Sequence, residues 1–222
     1  MKAKRYRLTL LAVVLSLLTA CAGAAGQPTA GPAGDNGGSI NLILGAYTTP
    51  REAYGEIIPR FQAKWKAETG QDVTFEESYL GSGAQSRAVV EGFEADVVAL
   101  SLEADVLRIQ DAGLITSDWK SQPNNGMVST SIAVLGVRAG NPEGIAGWAD
   151  LVRPGLEVLT PNPETSGGAM WNILALYGAA LRGQVDGVPA DDKAAAQAFL
   201  QSVLANVTVM DKGARESITN FE

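Results

Sequence analysis

The chain has 222 residues, with 17 Lys and Arg against 24 Asp and Glu and a net charge of −7. It contains no His and one Cys, which excludes a His-based catalytic triad, zinc sites built on imidazole, an internal disulfide framework and any CxxC motif. An acidic chain gives no electrostatic ground for nucleic-acid binding, and the length suits one large domain or two small lobes.

The first segment reads as an address. Lys2, Lys4, Arg5 and Arg7 precede Leu8 to Leu18, an apolar run of 11 residues broken only by Thr9 and Ser16. That is too short for a membrane-spanning helix, which needs about 20, and fits a secretory signal. It ends Leu18-Thr19-Ala20-Cys21, which resembles the lipobox of bacterial lipoproteins. The resemblance implies cleavage after residue 20, lipidation of Cys21 and a chain held outside the cytoplasm at the bacterial cell membrane. Cleavage there removes four basic residues and no acid, leaving 13 basic against 24 acidic residues and a net charge of −11. Residues 21–38 follow as Gly, Ala and Pro with almost no apolar bulk, a composition expected of a flexible tether.

From Ser39 strands and helices alternate. Ile40 to Gly45 reads as a buried strand. A helix is expected over residues 52–69, with Tyr54, Ile57, Ile58, Phe61 and Trp65 at helical spacing, Gly70 as its stop and Pro59 as either a kink or a first-turn position after a break. Val73 to Ser78 is a strand ending at Gly81-Ser82-Gly83, before a short helix through Ala84, Ala88 and Val89. Strand-like Asp96 to Ser101 leads to a helix over Glu103 to Ala112. Ser131 to Arg138 reads as another strand. Leu156 to Thr160 is the next, followed by a helix over Trp171, Leu174, Gly178 and Leu181. An amphipathic helix over Asp191 to Ala205 precedes a strand at Val207 to Met210. This alternation predicts α/β sheets, with ligands at the carboxyl ends of the strands.

Three strand-to-helix junctions carry small residues and hydroxyls: Gly81-Ser82-Gly83, Thr165-Ser166-Gly167-Gly168 and Lys212 to Ser217. The first N–H groups of a helix lack intrahelical partners and favour anions. One such junction is an ordinary cap; three in an exported chain suggest an anion site. Other patterns point nowhere. Ser117-Asp118-Trp119-Lys120 fits S-x-x-K, yet lacks the S-D-N and K-T-G partners of penicillin-binding enzymes. Glu76-Glu77 and Asp191-Asp192 read as solvated or helix-start charge.

Tyr47-Thr48-Thr49-Pro50-Arg51-Glu52, Gly81-Ser82-Gly83, Glu94 to Val98, Gly140-Asn141-Pro142, Pro161 to Ala169 (PNPETSGGA, then Trp171-Asn172) and Gly213-Ala214-Arg215 occur in this order. Together they resemble the sulfate/thiosulfate solute-binding proteins of ABC importers. The resemblance covers residues 40–222 and implies a two-lobe α/β periplasmic-binding-protein fold of type II that closes on an anion. The lobes would be residues 39–128 and 129–222. It implies no enzyme and no cofactor. The ligand would be sulfate, the partner an ABC permease, and the membrane contact the lipid on Cys21.

The resemblance also assigns donors. Ser82 gives a hydroxyl and a backbone N–H; Ser166, Gly167 and Gly168 give donors at a helix start; Ala214 gives a backbone N–H. Thr48 occupies the donating position of the first strand–helix loop, where the family commonly has Asp. Met170 stands where the family commonly has Arg, and Arg51 and Arg215 lie behind the loops as supporting charges. No carboxylate is evident in these loops, so a fully ionised dianion suits the site better than a protonated one. Related oxyanions (phosphate, molybdate) and a Ser-dependent secreted hydrolase are the alternatives. Family members continue for over a hundred residues beyond this end point, with a Trp whose indole N–H reaches the anion. The resemblance thus implies a truncated second lobe and an uncovered apolar face on the first.

Overall fold

The computed structural model describes residues 38–222; the signal segment, Cys21 and the tether lie outside these residues, save the tether's last position. Five strands and six helices of the described chain alternate as β1 (Ile40–Tyr47), α1 (Arg51–Thr69), β2 (Val73–Leu80), α2 (Ser82–Val90), β3 (Val97–Ala99), α3 (Glu103–Asp111), β4 (Val158–Pro161), α4 (Gly167–Leu181), α5 (Lys193–Ala205), β5 (Val207–Asp211) and α6 (Ala214–Phe221).

The first sheet is parallel with order β2-β1-β3. Central β1 buries Leu44, Gly45 and Ala46 in succession, as a parallel strand covered on both faces does. Ile58 of α1 packs against Leu44 and Ala46, with Tyr54, Phe75, Tyr79 and Ala99 around them. The second sheet pairs β4 with β5, again parallel, with an irregularity between Val158 and Leu159. Its core is Leu176, Ala179 and Ala180 of α4 against Ala196, Phe199 and Val203 of α5, joined by Leu151 and Val185.

Local chemistry explains the helix ends. Gly70 adopts φ 76° and donates its N–H to the Lys66 carbonyl, the left-handed stop that Gly adopts without steric cost. Asp192 caps α5 by accepting from the N–H groups of Ala194 and Ala195 at 2.9 and 3.0 Å, so one of the two paired acids is a helix-start charge. Pro59 does not break α1, which runs unbroken from Arg51 to Thr69. Pro59 is exposed, and the carbonyl four residues earlier, deprived of its N–H partner, belongs to exposed Gly55 and remains open to water.

One expected strand is absent. Residues 131–138 carry no regular structure, and Ile132 and Val134 are 82% and 71% exposed. Strand-like composition forms a strand only where a neighbour supplies the ladder, and β4 pairs only with β5 among the described residues. Among the described residues no helix is long and apolar enough to cross a membrane.

Parallel pairing sets Tyr47 beside Leu80, Ala46 beside Ala99 and Pro161 beside Asp211. Each sheet therefore releases its strand-to-helix loops at one edge, its carboxyl end, which is where the candidate residues lie.

Candidate functional site

The loop between β4 and α4 is a built turn. Asn162 donates its N–H to the Asp211 carbonyl at 2.7 Å, while its own carbonyl accepts from the N–H groups of Thr165 and Ser166. Its side-chain oxygen accepts from the Glu164 N–H at 2.8 Å, the local bond by which Asn shapes turns. At the other junction, Ser217 Oγ donates to Asp211 Oδ2 at 2.8 Å and holds the start of α6 against β5.

These loops meet the first sheet at very close range. A Cβ on Gly81 would overlap the Thr165 carbonyl oxygen and fall 2.7 Å from that of Lys212. The backbone approach there leaves room for hydrogen alone. The Ala84 N–H donates to the Thr165 carbonyl at 3.2 Å, and the Thr165 hydroxyl donates to the Lys212 carbonyl at 2.8 Å. Thus the starts of α2, α4 and α6 are tied through one residue. A Cβ on Gly167 would overlap Ser101 Oγ and lie 3.1 Å from Ser82 Cβ; one on Gly168 would lie 3.1 Å from Ala214 Cβ; one on Gly213 would lie 2.9 Å from Thr48 Oγ1.

The structure therefore brings Thr48, Ser82, Ser166, Gly167, Gly168 and Ala214 to one junction. Thr48, Ser82 and Ser166 are at most 5% exposed. Gly167 and Gly168 open α4 and Ala214 opens α6, so their N–H groups have no intrahelical acceptor. The Ser166 N–H is already bound to the Asn162 carbonyl. Its oxygen accepts from the Ala169 N–H at 3.4 Å, which leaves its hydroxyl proton as the group it can offer.

Ser82 differs from the sequence expectation. Its hydroxyl donates to Asp105 Oδ2 at 2.7 Å and accepts the Ser101 N–H at 3.0 Å. One proton cannot serve two acceptors, so what Ser82 retains for a ligand is its N–H. Carboxylates do stand at the loops: Glu216 Oε2 is 2.5 Å from where a Cβ on Gly213 would sit, and behind them Asp105, on α3, is 3% exposed and pairs with Arg108 at 2.8 Å. Asp105 escaped sequence reasoning because 23 residues separate it from Ser82 and no motif links them.

The two supporting cations part company. Arg51 is exposed and lies over the Tyr79 ring at 5.2 Å. Arg215 forms an ion pair with Glu52 from the first turn of α1, so its charge is spent on bridging α6 to α1. Tyr79 donates its hydroxyl to Glu77 at 2.6 Å, and burial followed by this bond raises its pKa well above the ordinary tyrosine value. An open cleft of about 570 Å³ borders the junction, lined by Thr49, Glu52, Ala214, Arg215 and Ile218 among others. Of the six junction residues only Ala214 lines it, so the junction is a closed seam beside an open mouth. Beyond Asp105, sequence reasoning missed Ser101 and Trp171 as contact residues. The Trp171 indole N–H donates to the Ser101 carbonyl at 3.1 Å across 70 residues of sequence. Trp171 follows the PNPETSGGA segment after Met170, whereas Ser101 belongs to none of the motifs.

A family model described as bacterial extracellular solute-binding protein matches residues 42–222. The chain is 45% identical over 189 residues to the sulfate-binding protein of Synechococcus elongatus, covering 85% of this chain and 52% of that one. It is 44% identical to the sulfate-binding protein of Escherichia coli, covering 82% and 54%. It is 36% identical to the thiosulfate-binding protein of Pseudomonas aeruginosa, covering 81% and 53%. The chain thus spans about half the length of these curated relatives. Among solved structures, the sulfate-binding protein SubI from Mycobacterium tuberculosis matches with a TM-score of 0.73 at 35% identity, over 82% of this chain and 61% of that one. This likeness bears out the α/β fold class of the type II periplasmic-binding proteins. The chain belongs to the family of bacterial extracellular solute-binding proteins.

Proposed function

We propose that this chain captures sulfate, or the closely related thiosulfate, outside the cytoplasm and delivers it to an ABC permease. It carries out no catalytic step and uses no cofactor. The observation that carries this reading is the convergence of the starts of α2, α4 and α6 on one seam through Gly81, Thr165 and Lys212. The names of the relatives support the choice of ligand.

The physics of capture follows from the donor set. A dianion taken out of water loses a large solvation energy unless oriented dipoles replace it. Hydrogen bonds to a charged group return about 1.5–3 kcal/mol each. The N–H groups of Thr48, Ser82, Gly167, Gly168 and Ala214 with the Ser166 hydroxyl would together hold one tetrahedral ion. Helix-start dipoles add favourable potential within the first turn. No cation is needed beside the ion; Arg51 is engaged with Tyr79 and Arg215 with Glu52. The seam is closed in this structure, so binding requires residues 39–128 and 129–222 to part as two lobes and close again.

Residues 1–20 as a lipoprotein signal, Cys21 as the lipid anchor and residues 21–38 as a tether complete the proposal, which places the binding unit at the outer face of the cell membrane. A ligand that prefers the folded state raises the melting temperature. Sulfate and thiosulfate should therefore stabilise the purified chain in a thermal-shift panel that includes phosphate and molybdate. A chain stabilised only by molybdate or phosphate would redirect the reading to that ion, and one stabilised by none would end it.

A further inference from the structure

Behind the seam a buried carboxylate accepts a hydroxyl of the α2 start. Asp105 Oδ2 accepts from Ser82 Oγ at 2.7 Å, while Asp105 Oδ1 accepts from Arg108 Nη1 at 2.8 Å. The same Arg108 nitrogen donates to Ser86 Oγ at 3.1 Å, and Ser86 Oγ donates to the Asp105 backbone carbonyl at 2.7 Å. Ser82, Ser86 and Asp105 are at most 3% exposed, so the bonds of the two hydroxyls to Asp105 are shielded from water, whereas Arg108 is partly exposed.

Resting on the proposed function, we propose that Asp105 is a positioning residue that withholds the Ser82 hydroxyl from the bound anion, so that this loop offers the ion an amide alone. The argument is a count of donors and acceptors. A carboxylate paired with Arg108 only accepts, so the single Ser82 proton lies on Asp105 Oδ2. One Ser82 lone pair is taken by the Ser101 N–H. If the hydroxyl turned to an anion, Ser82 Oγ and Asp105 Oδ2 would face each other at hydrogen-bond distance with no proton between them. That arrangement is repulsive where both oxygens are buried.

Asp105→Asn inverts the count without changing shape. Arg108 has donors only, so the new amide must turn its oxygen to Arg108 and its NH2 to Ser82. Ser82 Oγ then accepts from that NH2 and from Ser101, both lone pairs are filled, and its proton is left available to an anion held at the Ser82 N–H. The variant should therefore bind sulfate more tightly, by about tenfold for one added bond to a charged group.

The test is a double-mutant cycle read by calorimetry with sulfate on the 222-residue chain, comparing wild type, Asp105→Asn, Ser82→Ala and the double variant. Expected are less than about threefold loss for Ser82→Ala in the wild-type background, a gain for Asp105→Asn, and disappearance of that gain in the double variant. A gain that survives in the double variant would mean that removal of charge alone is responsible, and would overturn the role. Weaker binding by Asp105→Asn, or a tenfold loss for Ser82→Ala alone, would overturn it too; the latter needs no Asp105 variant to fold. A wild-type chain that binds no oxyanion overturns the proposed function and this role with it. A chain that binds sulfate without the coupling overturns this role only.

Discussion

The Thr165 hydroxyl donates to the Lys212 carbonyl at 2.8 Å and so fastens the loop that opens α4 to the loop that opens α6. Because the Thr165 carbonyl also takes the Ala84 N–H, this residue sets the spacing of three helix starts. Thr165→Val keeps the shape and removes the bond. It should cost about 1 kcal/mol of stability and weaken sulfate binding about tenfold, measured by thermal melting and calorimetry on the same samples. Unchanged binding would show that the seam holds its spacing without Thr165.

Gly167→Ala tests the closeness of approach. The added methyl would overlap Ser101 Oγ and fall 3.0 Å from Leu102 Cγ, so the start of α4 must back away from the loop after β3. Sulfate affinity should fall by more than about a hundredfold with circular dichroism unchanged, because a misplaced helix start moves two adjacent amide donors. Wild-type affinity in this variant would refute the packing described.

Trp171→Phe retains the ring and removes the indole N–H that reaches the Ser101 carbonyl. The expected loss is about 1 kcal/mol in the stability of the closed form, read as a modest fall in both melting temperature and sulfate affinity. An effect on neither would show that this bond does not contribute to closure.

Asp150 provides a pH test remote from the seam. The N–H of Ala146, then that of Gly147, holds its carboxyl below the ordinary Asp value, with Arg153 adding a smaller contribution in the same direction. A lowered folded-state pKa gives stability that is present above the unfolded value of about 3.9 and is lost as pH falls through the folded value. Asp150→Asn should lower the melting temperature at pH 7 and make no difference once the pH is below both values. A deficit of the same size at every pH would contradict this.

Much of the fold was legible because its signals are local. The strand-to-helix junctions at Gly81, Ser166 and Gly213 show themselves as small residues after apolar runs, and each opens a helix. Residues 131–138 misled because alternation of apolar residues reports compatibility with a strand, whereas a strand also needs a neighbour. Pro59 misled in the opposite sense, since the cost of a helical proline depends on whether the freed carbonyl meets water. At the seam, the motifs supplied Thr48, Ser82, Ser166, Gly167, Gly168 and Ala214. They did not supply Asp105, Ser101 or the direction of the Ser82 hydroxyl. Those are properties of contacts between distant segments, and no spacing within one segment encodes them.

The central claim is that amides and a hydroxyl from separate loops surround a fully ionised tetrahedral ion. At pH 7 sulfate is a bare dianion, while phosphate retains a proton that would point at one of these donors, a mismatch the donor set does not satisfy. Competitive calorimetry at pH 7 with sulfate and phosphate on the same preparation tests this directly. The account predicts sulfate binding at least about a hundredfold tighter, as expected when a buried polar mismatch opposes the second ion; equal affinities, or a preference for phosphate, would contradict it.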